Sequence, residues 1–213
     1  SGPLVIGLDP ARFGDDGSAM ARRRGRKVTK VEKRHKLDTM ELAGWAKQVI
    51  DTEKPARMFI DIGGLGAGVY DRLVEMGYGD IVRPINFGSS PLEPPKLDEN
   101  GKELGGGPLN RRAEMWMNSN DWLQDPAGVN IPDSDSLQAD ACGPGYKYDS
   151  NTRLQIEKKE DMRRRGVPSP DEWDAVVLTF AEPVAPVVEP INLTFTTQFT
   201  REGFGQRQEI FHG

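Results

Sequence analysis

Residues 4–18 read LVIGLDPARFGDDGS, and this stretch decides the fold. The apolar run of residues 4–8 is typical of a short buried strand, and it ends in a carboxylate, Asp9. Residues 57–61, RMFID, repeat the pattern and end in Asp61. A buried strand that ends in an aspartate is common, and a single one predicts only a loop or helix cap. Two of them raise the question of whether their carboxylates meet.

The segments between and after these strands predict an α/β domain with a mixed sheet. Residues 18–24 and 27–35 predict two further strands that form a meander with the first, with a tight turn at Gly25-Arg26. Another strand is predicted over residues 81–85, and residues 146–156 could form a hairpin. Apolar stripes, caps and stops predict helices over residues 39–52, 69–77, 110–123 and 169–182.

Composition limits the class of protein. Hydrophobic residues make up 36 % of the 213 residues and the mean hydropathy is -0.60, which predicts an adequate core and much loop or surface. The single cysteine, Cys142, excludes an internal disulfide framework and fits a reducing compartment. No apolar run approaches the roughly 20 residues that span a bilayer, so no membrane association is expected.

We expect three regions in the chain. Residues 1–3 look like the remnant of a protease cleavage site, so the chain would be a domain excised from a longer protein. Residues 4–183 form the domain, and the proline-spaced residues 184–213 predict an extended tail without a core of its own. Within the domain, residues 87–108 predict a long mobile loop, because they lack a hydrophobic period and contain many glycines and prolines.

The predicted topology could bring several carboxylates together. Asp9 and Asp61 would lie at one sheet edge if their strands are neighbours, and a helix across the sheet could bring Asp171 or Asp174 to the same edge. Taken singly, each of the last two is better explained as an acid that favours a helix N-terminus. Together, converging carboxylates need cations, and hard oxygen ligands favour Mg²⁺ or Mn²⁺ over zinc.

Five segments in this order resemble the nuclease domain of the large terminase subunit of tailed bacteriophages. They are GLDPARFGDDGSAM, FIDIGGLGAGVYDRL, NRRAEMWMN, RLQIEKKEDMRRRG and SPDEWDAVVLTFA, and the match runs over residues 4–182. The resemblance implies a ribonuclease H-like fold and a metal-dependent endonuclease that cuts concatemeric double-stranded viral DNA during genome packaging. It also implies an ATPase domain upstream in the same polypeptide, a portal and a small terminase subunit as partners, and action in the host cytoplasm.

The resemblance also assigns residues. The acidic ligands of two Mg²⁺ or Mn²⁺ ions would be Asp9, Asp61 and Asp171, with Asp174 as a rival or helper of the last. Lys159 matches a lysine that the family keeps before its last helix, and it could stabilise developing charge on a phosphate.

The net charge of -5 argues against nucleic-acid binding, but its distribution does not. Nine Lys and Arg and one Glu in residues 22–36 give this segment a local charge of +8. A solvated hairpin is the default explanation of such a run, and the resemblance makes phosphate contacts equally credible. The candidate DNA-binding residues are Arg22, Arg23, Arg24, Arg26, Lys27 and Lys158. Asn110-Arg111-Arg112 better fits a helix start, and Tyr146 and Tyr148 better fit packing than base stacking.

Two other functions stay open. The chain could be a catalytically degenerate ribonuclease H-like module that binds DNA or docks on a portal. It could also be a small-nucleotide enzyme built on the glycine-rich turn at residues 63–68, although this turn matches neither phosphate-binding loop of the nucleotide enzymes.

Overall fold

A computed structural model describes residues 2–11 and 17–185 of the chain. Its strands are β1 (Leu4–Asp9), β2 (Ser18–Arg24), β3 (Lys27–Arg34), β4 (Arg57–Asp61), β5 (Val82–Ile85), β6 (Tyr146–Tyr148) and β7 (Leu154–Ile156). Its helices are α1 (Thr39–Glu53), α2 (Gly66–Leu73), α3 (Arg111–Leu123), α4 (Asp135–Cys142), α5 (Lys159–Arg164) and α6 (Asp171–Leu178).

The central sheet has five strands in the order β3-β2-β1-β4-β5. The β1–β2 and β2–β3 pairs are antiparallel, and the β1–β4 and β4–β5 pairs are parallel. The meander therefore forms one half of the sheet, and the parallel strands form the other. This mixed sheet flanked by helices confirms the predicted α/β, ribonuclease H-like fold class.

Two apolar layers cover the two faces of the sheet. On one face, α1 and α2 pack against alternate residues of β1, among them Ile6 and Leu8. The start of α1 is fixed by a capping box between Asp38 and Glu41, which satisfies backbone donors at the helix N-terminus. On the other face, α3, α4 and α6 pack against a layer that contains Val5.

Helix α6 lies unusually close to β1. A Cβ atom at Gly7 would be only 2.0 Å from the carbonyl oxygen of Ala175, so any other residue at position 7 would push the helix away. Side chains alternate along a strand, so Asp9 lies on the same face as Val5 and Gly7. The close approach therefore brings the first turn of α6 towards Asp9.

The small β6–β7 hairpin forms as the sequence predicts, but its two tyrosines do not pack into the core of the protein. Tyr146 and Tyr148 are 70 % and 62 % exposed, and their rings contact each other edge to face. The expectation that they serve packing is therefore wrong. Helix α5 follows the hairpin after a two-residue link.

Helices α4 and α5 are not predicted from the sequence. Residues 87–108, which the sequence predicts to be a loop, contain no helix or strand. Residues 186–213, most of the predicted tail, lie outside the described part of the chain. Within the described part, none of the helices combines the length and the apolar character needed to cross a bilayer.

Candidate active site

The two strand-end aspartates are neighbours at one edge of the sheet. In the parallel β1–β4 pair, Leu8 is opposite Ile60, and Asp9 and Asp61 are the next residues of the two strands. Asp9 is 2 % exposed, whereas Asp61 is partly exposed at the rim of the site. The edge is the one where the parallel strands end, which is where open α/β sheets place their ligands.

Lys159 joins three carboxylates at this edge. Its Nζ atom lies 2.8 Å from Oδ2 of Asp9, 3.3 Å from Oδ1 of Asp171 and 3.4 Å from Oδ2 of Asp174. The lysine is the first residue of α5, and both α6 aspartates lie in the first turn of that helix. The end of β1 and the start of α6 therefore meet at one ammonium group, which α5 supplies.

Asp171 is surrounded by groups that donate hydrogen bonds to it. Lys33 on β3 places its Nζ atom 2.8 Å from Oδ2, and the backbone N–H of Gly17 donates to the same oxygen at 3.3 Å. The Ser169 hydroxyl donates to Oδ1, which Lys159 also contacts. We call Asp171 with Gly17, Lys33, Lys159 and Ser169 the Asp171 cluster.

Asp174 is bound in a different way. The Arg112 guanidinium donates Nε–H to Oδ1 at 3.1 Å and Nη2–H to Oδ2 at 3.0 Å, which is a bidentate pair. The indole Nε1–H of Trp116 donates to Oδ1 at 2.9 Å. We call these three residues the Asp174 cluster. Because both oxygens are held by rigid planar donors and the side chain is fully buried, Asp174 anchors α6 to α3.

The glycine-rich turn shapes the Asp61 side of the site. The backbone N–H of Gly63 donates to Oδ1 of Asp61 at 3.2 Å. A Cβ atom at Gly66 would lie 1.8 Å from the backbone oxygen of Asp61, so α2 can begin this close to β4 only with glycine there. The turn therefore packs closely against the end of β4 and leaves the Asp61 carboxylate at the rim.

Burial and neighbouring charges shift the pKa values of these groups in different directions. Burial raises the pKa of the Asp9 carboxyl, the Lys159 ammonium lowers it, and the other carboxylates add to the increase. Burial likewise raises the pKa of Asp61. Burial opposes ionisation of Asp171 as well, but Lys159, Lys33 and Ser169 outweigh it, so the Asp171 pKa lies below its ordinary value.

Lys159 and Asp140 complete this electrostatic environment. Burial disfavours the charged form of Lys159, yet the surrounding carboxylates outweigh it and raise its pKa. Asp140 on α4 accepts the backbone N–H of Glu172 at 2.8 Å, and burial raises its pKa to about 6.

The donor chemistry of the site suits a hard divalent cation, because it consists of carboxylate oxygens with no His or Cys ligand among them. As the side chains lie, no three His, Cys, Asp or Glu groups within residues 2–11 and 17–185 are arranged to hold a metal ion. Two ammonium groups, from Lys159 and Lys33, stand among the carboxylates instead and balance their charge. The residue types fit a metal site, and the present positions are those of a site neutralised by lysine.

Comparisons with known proteins bear on the fold. No family model and no curated protein matches the chain. Among solved structures, the nuclease domain of the large terminase subunit gp2 of bacterial virus Sf6 is 21 % identical, with a TM-score of 0.73, and the match covers 85 % of this chain and 89 % of that one. The chain has the fold of a phage terminase nuclease domain. The resemblance noted in the sequence is thereby confirmed for the fold.

Two further matches carry metal ions. A lysine-to-alanine variant of the Sf6 domain with manganese is 20 % identical, with a TM-score of 0.70 and 85 % and 89 % of the two chains covered. The large terminase nuclease from thermophilic phage G20c with bound magnesium is 12 % identical, with a TM-score of 0.57 and 84 % and 81 % covered.

Two of the candidate DNA-binding residues are engaged inside the terminase nuclease fold. Arg22 is 3 % exposed and forms ion pairs with Glu53 and Glu32, so its assignment as a phosphate contact needs correction. Arg23 donates to the hydroxyl and backbone oxygen of Thr179 and lies over the Phe180 ring, so its guanidinium serves packing between β2 and the end of α6.

The remaining basic candidates lie in two places. Arg24, Arg26 and Lys27 are exposed at the β2–β3 turn. Because β2 runs antiparallel to β1, with Leu4 opposite Arg24, this turn lies at the other end of β1 from Asp9. Five residues of strand correspond to about 17 Å, so these three residues lie far from the carboxylates of the candidate site. Lys158 is exposed directly beside Lys159.

Several residues that shape the site were not recognised in the sequence. Lys33 and Asp140 carry no local signal, because a lysine on a strand and an acid in a polar segment fit any surface. Ser169 lies two residues before Asp171, and its hydroxyl donates to that carboxylate. Arg112 was expected only to anchor a helix start, and it also holds Asp174 from 62 positions away.

Proposed function

We propose that this chain is a metal-dependent endonuclease that cleaves concatemeric double-stranded viral DNA during genome packaging. The observation that carries the proposal is the convergence of Asp9, Asp171 and Asp174 on Lys159, beside Asp61, at the sheet edge where the parallel strands end. The terminase nuclease fold supports the same conclusion. Action in the host cytoplasm, with an upstream ATPase domain, a portal and a small terminase subunit, follows as part of this proposal.

Asp9, Asp61 and Asp171 would hold two Mg²⁺ or Mn²⁺ ions. Such ions, when bound, lower the pKa of a water and offset the charge that develops on a phosphodiester during hydrolysis. The manganese and magnesium present with the Sf6 and G20c nucleases support this cofactor class. Asp174 is the weaker candidate ligand, because the planar Arg112 fork and the Trp116 indole hold its two oxygens, whereas lysines on flexible stems contribute to holding Asp171.

The chain's own cations have separate tasks. Lys159 keeps the carboxylates neutralised before metal enters, and afterwards its ammonium, 26 % exposed, stays close enough to stabilise charge on a bound phosphate. Lys158, exposed next to it, would contact the DNA backbone. Phosphate contacts position DNA without reading its sequence, so weak sequence preference is expected.

The test is nicking of supercoiled plasmid with Mn²⁺. The wild-type chain should nick, and Asp9→Asn should abolish nicking while melting as a folded protein. Asp71→Asn is a matched control, because Asp71 is an exposed aspartate on α2 away from the site. Nicking by Asp9→Asn at the wild-type rate would refute the assignment of Asp9.

A specific observation favours a second candidate, a degenerate module that binds DNA or docks on a portal without cutting. Lysine side chains already neutralise the carboxylates, so a module that does not cut DNA would need no metal ion. The two candidates differ in their response to metal. An absence of nicking together with an absence of any Mn²⁺-induced rise in melting temperature would favour the second.

A further inference from the structure

Lys33 is a second lysine of the site, and it comes from the edge strand. Asp9 on β1 is opposite Ala19 on β2, and Ala19 is opposite Lys33 on β3. Residues opposite each other in neighbouring strands point to the same face, so Lys33 and Asp9 lie on the face that α6 covers. From there Lys33 reaches Asp171 and, unlike Lys159, pairs with this carboxylate alone among the described residues of the site.

The position of Lys33 is shaped by a glycine. A Cβ atom at Gly17 would lie 2.6 Å from Cγ and 2.7 Å from Cε of Lys33. The lysine stem therefore occupies the space that any larger residue at position 17 would fill. The N–H of the same glycine donates to the oxygen of Asp171 that Lys33 contacts.

With Lys33 in place, both oxygens of Asp171 are occupied. Lys33 and Gly17 take Oδ2, while Ser169 and Lys159 take Oδ1. Asp171 is 1 % exposed in this arrangement. A divalent cation can reach Asp171 only when one of these donors moves, and a lysine with a flexible stem moves more easily than a backbone N–H.

Two carboxylates besides that of Asp171 lie near Lys33. The Asp140 and Glu172 carboxylates both act on the Lys33 ammonium. The Oε2 atom of Glu172 is buried and accepts no hydrogen bond from the residues that the structure describes. A buried carboxylate oxygen without a donor is costly, so Glu172 gains from any cation that turns towards it.

We propose that Lys33 is a positioning residue that competes with the divalent cation for Asp171, and that metal entry moves its ammonium from Asp171 to Glu172 and Asp140. The inference rests on the proposed metal-dependent function and describes how the divalent cation gains access to Asp171. Lys33 stabilises the metal-free arrangement, and this stabilisation is lost whenever a cation binds. Removing the lysine side-chain charge therefore favours the metal-bound state.

Mn²⁺ affinity tests this directly, measured by electron paramagnetic resonance or calorimetry on the whole chain. Lys33→Met should bind Mn²⁺ about tenfold more tightly than wild type, a factor typical of coupling between two binding events. Lys33→Arg keeps the charge and should stay near wild type. Lys30→Met is the matched control on the same strand, because Lys30 pairs with Glu32 away from the site and its loss should leave Mn²⁺ affinity unchanged.

Two further variants test the mechanism and keep it falsifiable if Lys33→Met folds poorly. Gly17→Ala should displace the lysine stem and tighten Mn²⁺ binding as well. Glu172→Gln removes the charge of the alternative position, so it should weaken Mn²⁺ binding in the wild-type background and have no effect in Lys33→Met. Equal effects of Glu172→Gln in both backgrounds would overturn the proposed movement.

Failure of the inference and failure of the proposed function give different results. If wild type binds Mn²⁺ and Lys33→Met binds it equally or more weakly, the competition is refuted and the nuclease proposal stands. If no variant and not even wild type binds Mn²⁺, both are refuted.

Discussion

Asp171 and Asp174 lie one helical turn apart on α6, both are buried, and Lys159 touches both, yet their surroundings differ. The Asp171 cluster holds its carboxylate with two lysines, a hydroxyl and a backbone N–H. The Asp174 cluster holds its carboxylate with a guanidinium fork and an indole. Ammonium groups on flexible stems can exchange for another cation, whereas a bidentate guanidinium fixes geometry. The comparison favours Asp171 over Asp174 as the proposed metal ligand, and Asp174 as the residue that fixes α6 to α3.

The largest expected effect concerns activity at Asp171. Asp171→Asn should lower Mn²⁺-dependent nicking by about a hundredfold or more, because a ligand of the proposed metal ions is lost, and even an outer-shell partner of a metal typically contributes up to about a hundredfold. Its melting temperature should fall, but less than that of Asp174→Asn, because the Lys33 and Lys159 ammonium groups that lose a partner are partly exposed to solvent. Plasmid nicking and thermal melting on the same sample check both statements. A variant that keeps full activity would remove Asp171 from the site.

The next effect concerns stability at Asp174. Asp174→Asn leaves the Arg112 guanidinium buried without its charge partner, which costs about 3–5 kcal/mol of the free energy of unfolding. Urea denaturation measures this loss. Arg112→Met combined with Asp174→Leu removes both charges and should cost much less than either charge removed alone. A stable but inactive Asp174→Asn would reverse the roles assigned to the two aspartates.

A smaller effect is expected at Trp116. Trp116→Phe removes the indole hydrogen bond to Asp174 and should cost about 1 kcal/mol in urea denaturation. Trp122→Phe is the control, because its indole donates to Gly25 at an exposed position on the same helix. Equal losses in the two variants would indicate that only packing, and not the bond to Asp174, was removed.

The smallest effect is a pH dependence at Asp140. Its folded pKa, about 6, lies above the ordinary 3.8, so the folded protein binds a proton that the unfolded chain releases. Stability is therefore lost as pH rises through this interval. Asp140→Asn should raise the melting temperature at pH 8 and leave it unchanged near pH 4. A gain of the same size at both pH values would assign the effect to something other than ionisation.

The parts of this site that follow from local patterns could be predicted. Strand periodicity is enough to predict the apolar runs that end in Asp9 and Asp61. A cap and a stop are enough to predict that Asp171 lies in a first helical turn. The choice between Asp171 and Asp174 could not be made, because it depends on Arg112, which reaches Asp174 through the packing of α3 on α6.

Other features were missed for different physical reasons. Helix α4 has the sequence DSLQADAC, in which Leu137 is the buried apolar anchor, so no apolar stripe is visible. The residues of the basic β2–β3 turn were predicted to contact DNA phosphates, and the predicted meander already places this turn at the end of β1 opposite to Asp9. That prediction used the charge of the turn and did not use its position in the sheet. Lys33 was missed for another reason. Only the pairing registers of β1, β2 and β3 together show that Lys33 lies in line with Asp9 across the sheet.

The absence of a side chain at Gly7 has a consequence for how the proposed activity could be lost. The contact between the Gly7 backbone and the Ala175 backbone, both uncharged, sets the separation between Asp9 and the first turn of α6. A single added methyl group there would widen the spacing between acids that it never touches. A substitution at this uncharged position could thus disturb the proposed metal site while every charged residue stays in place.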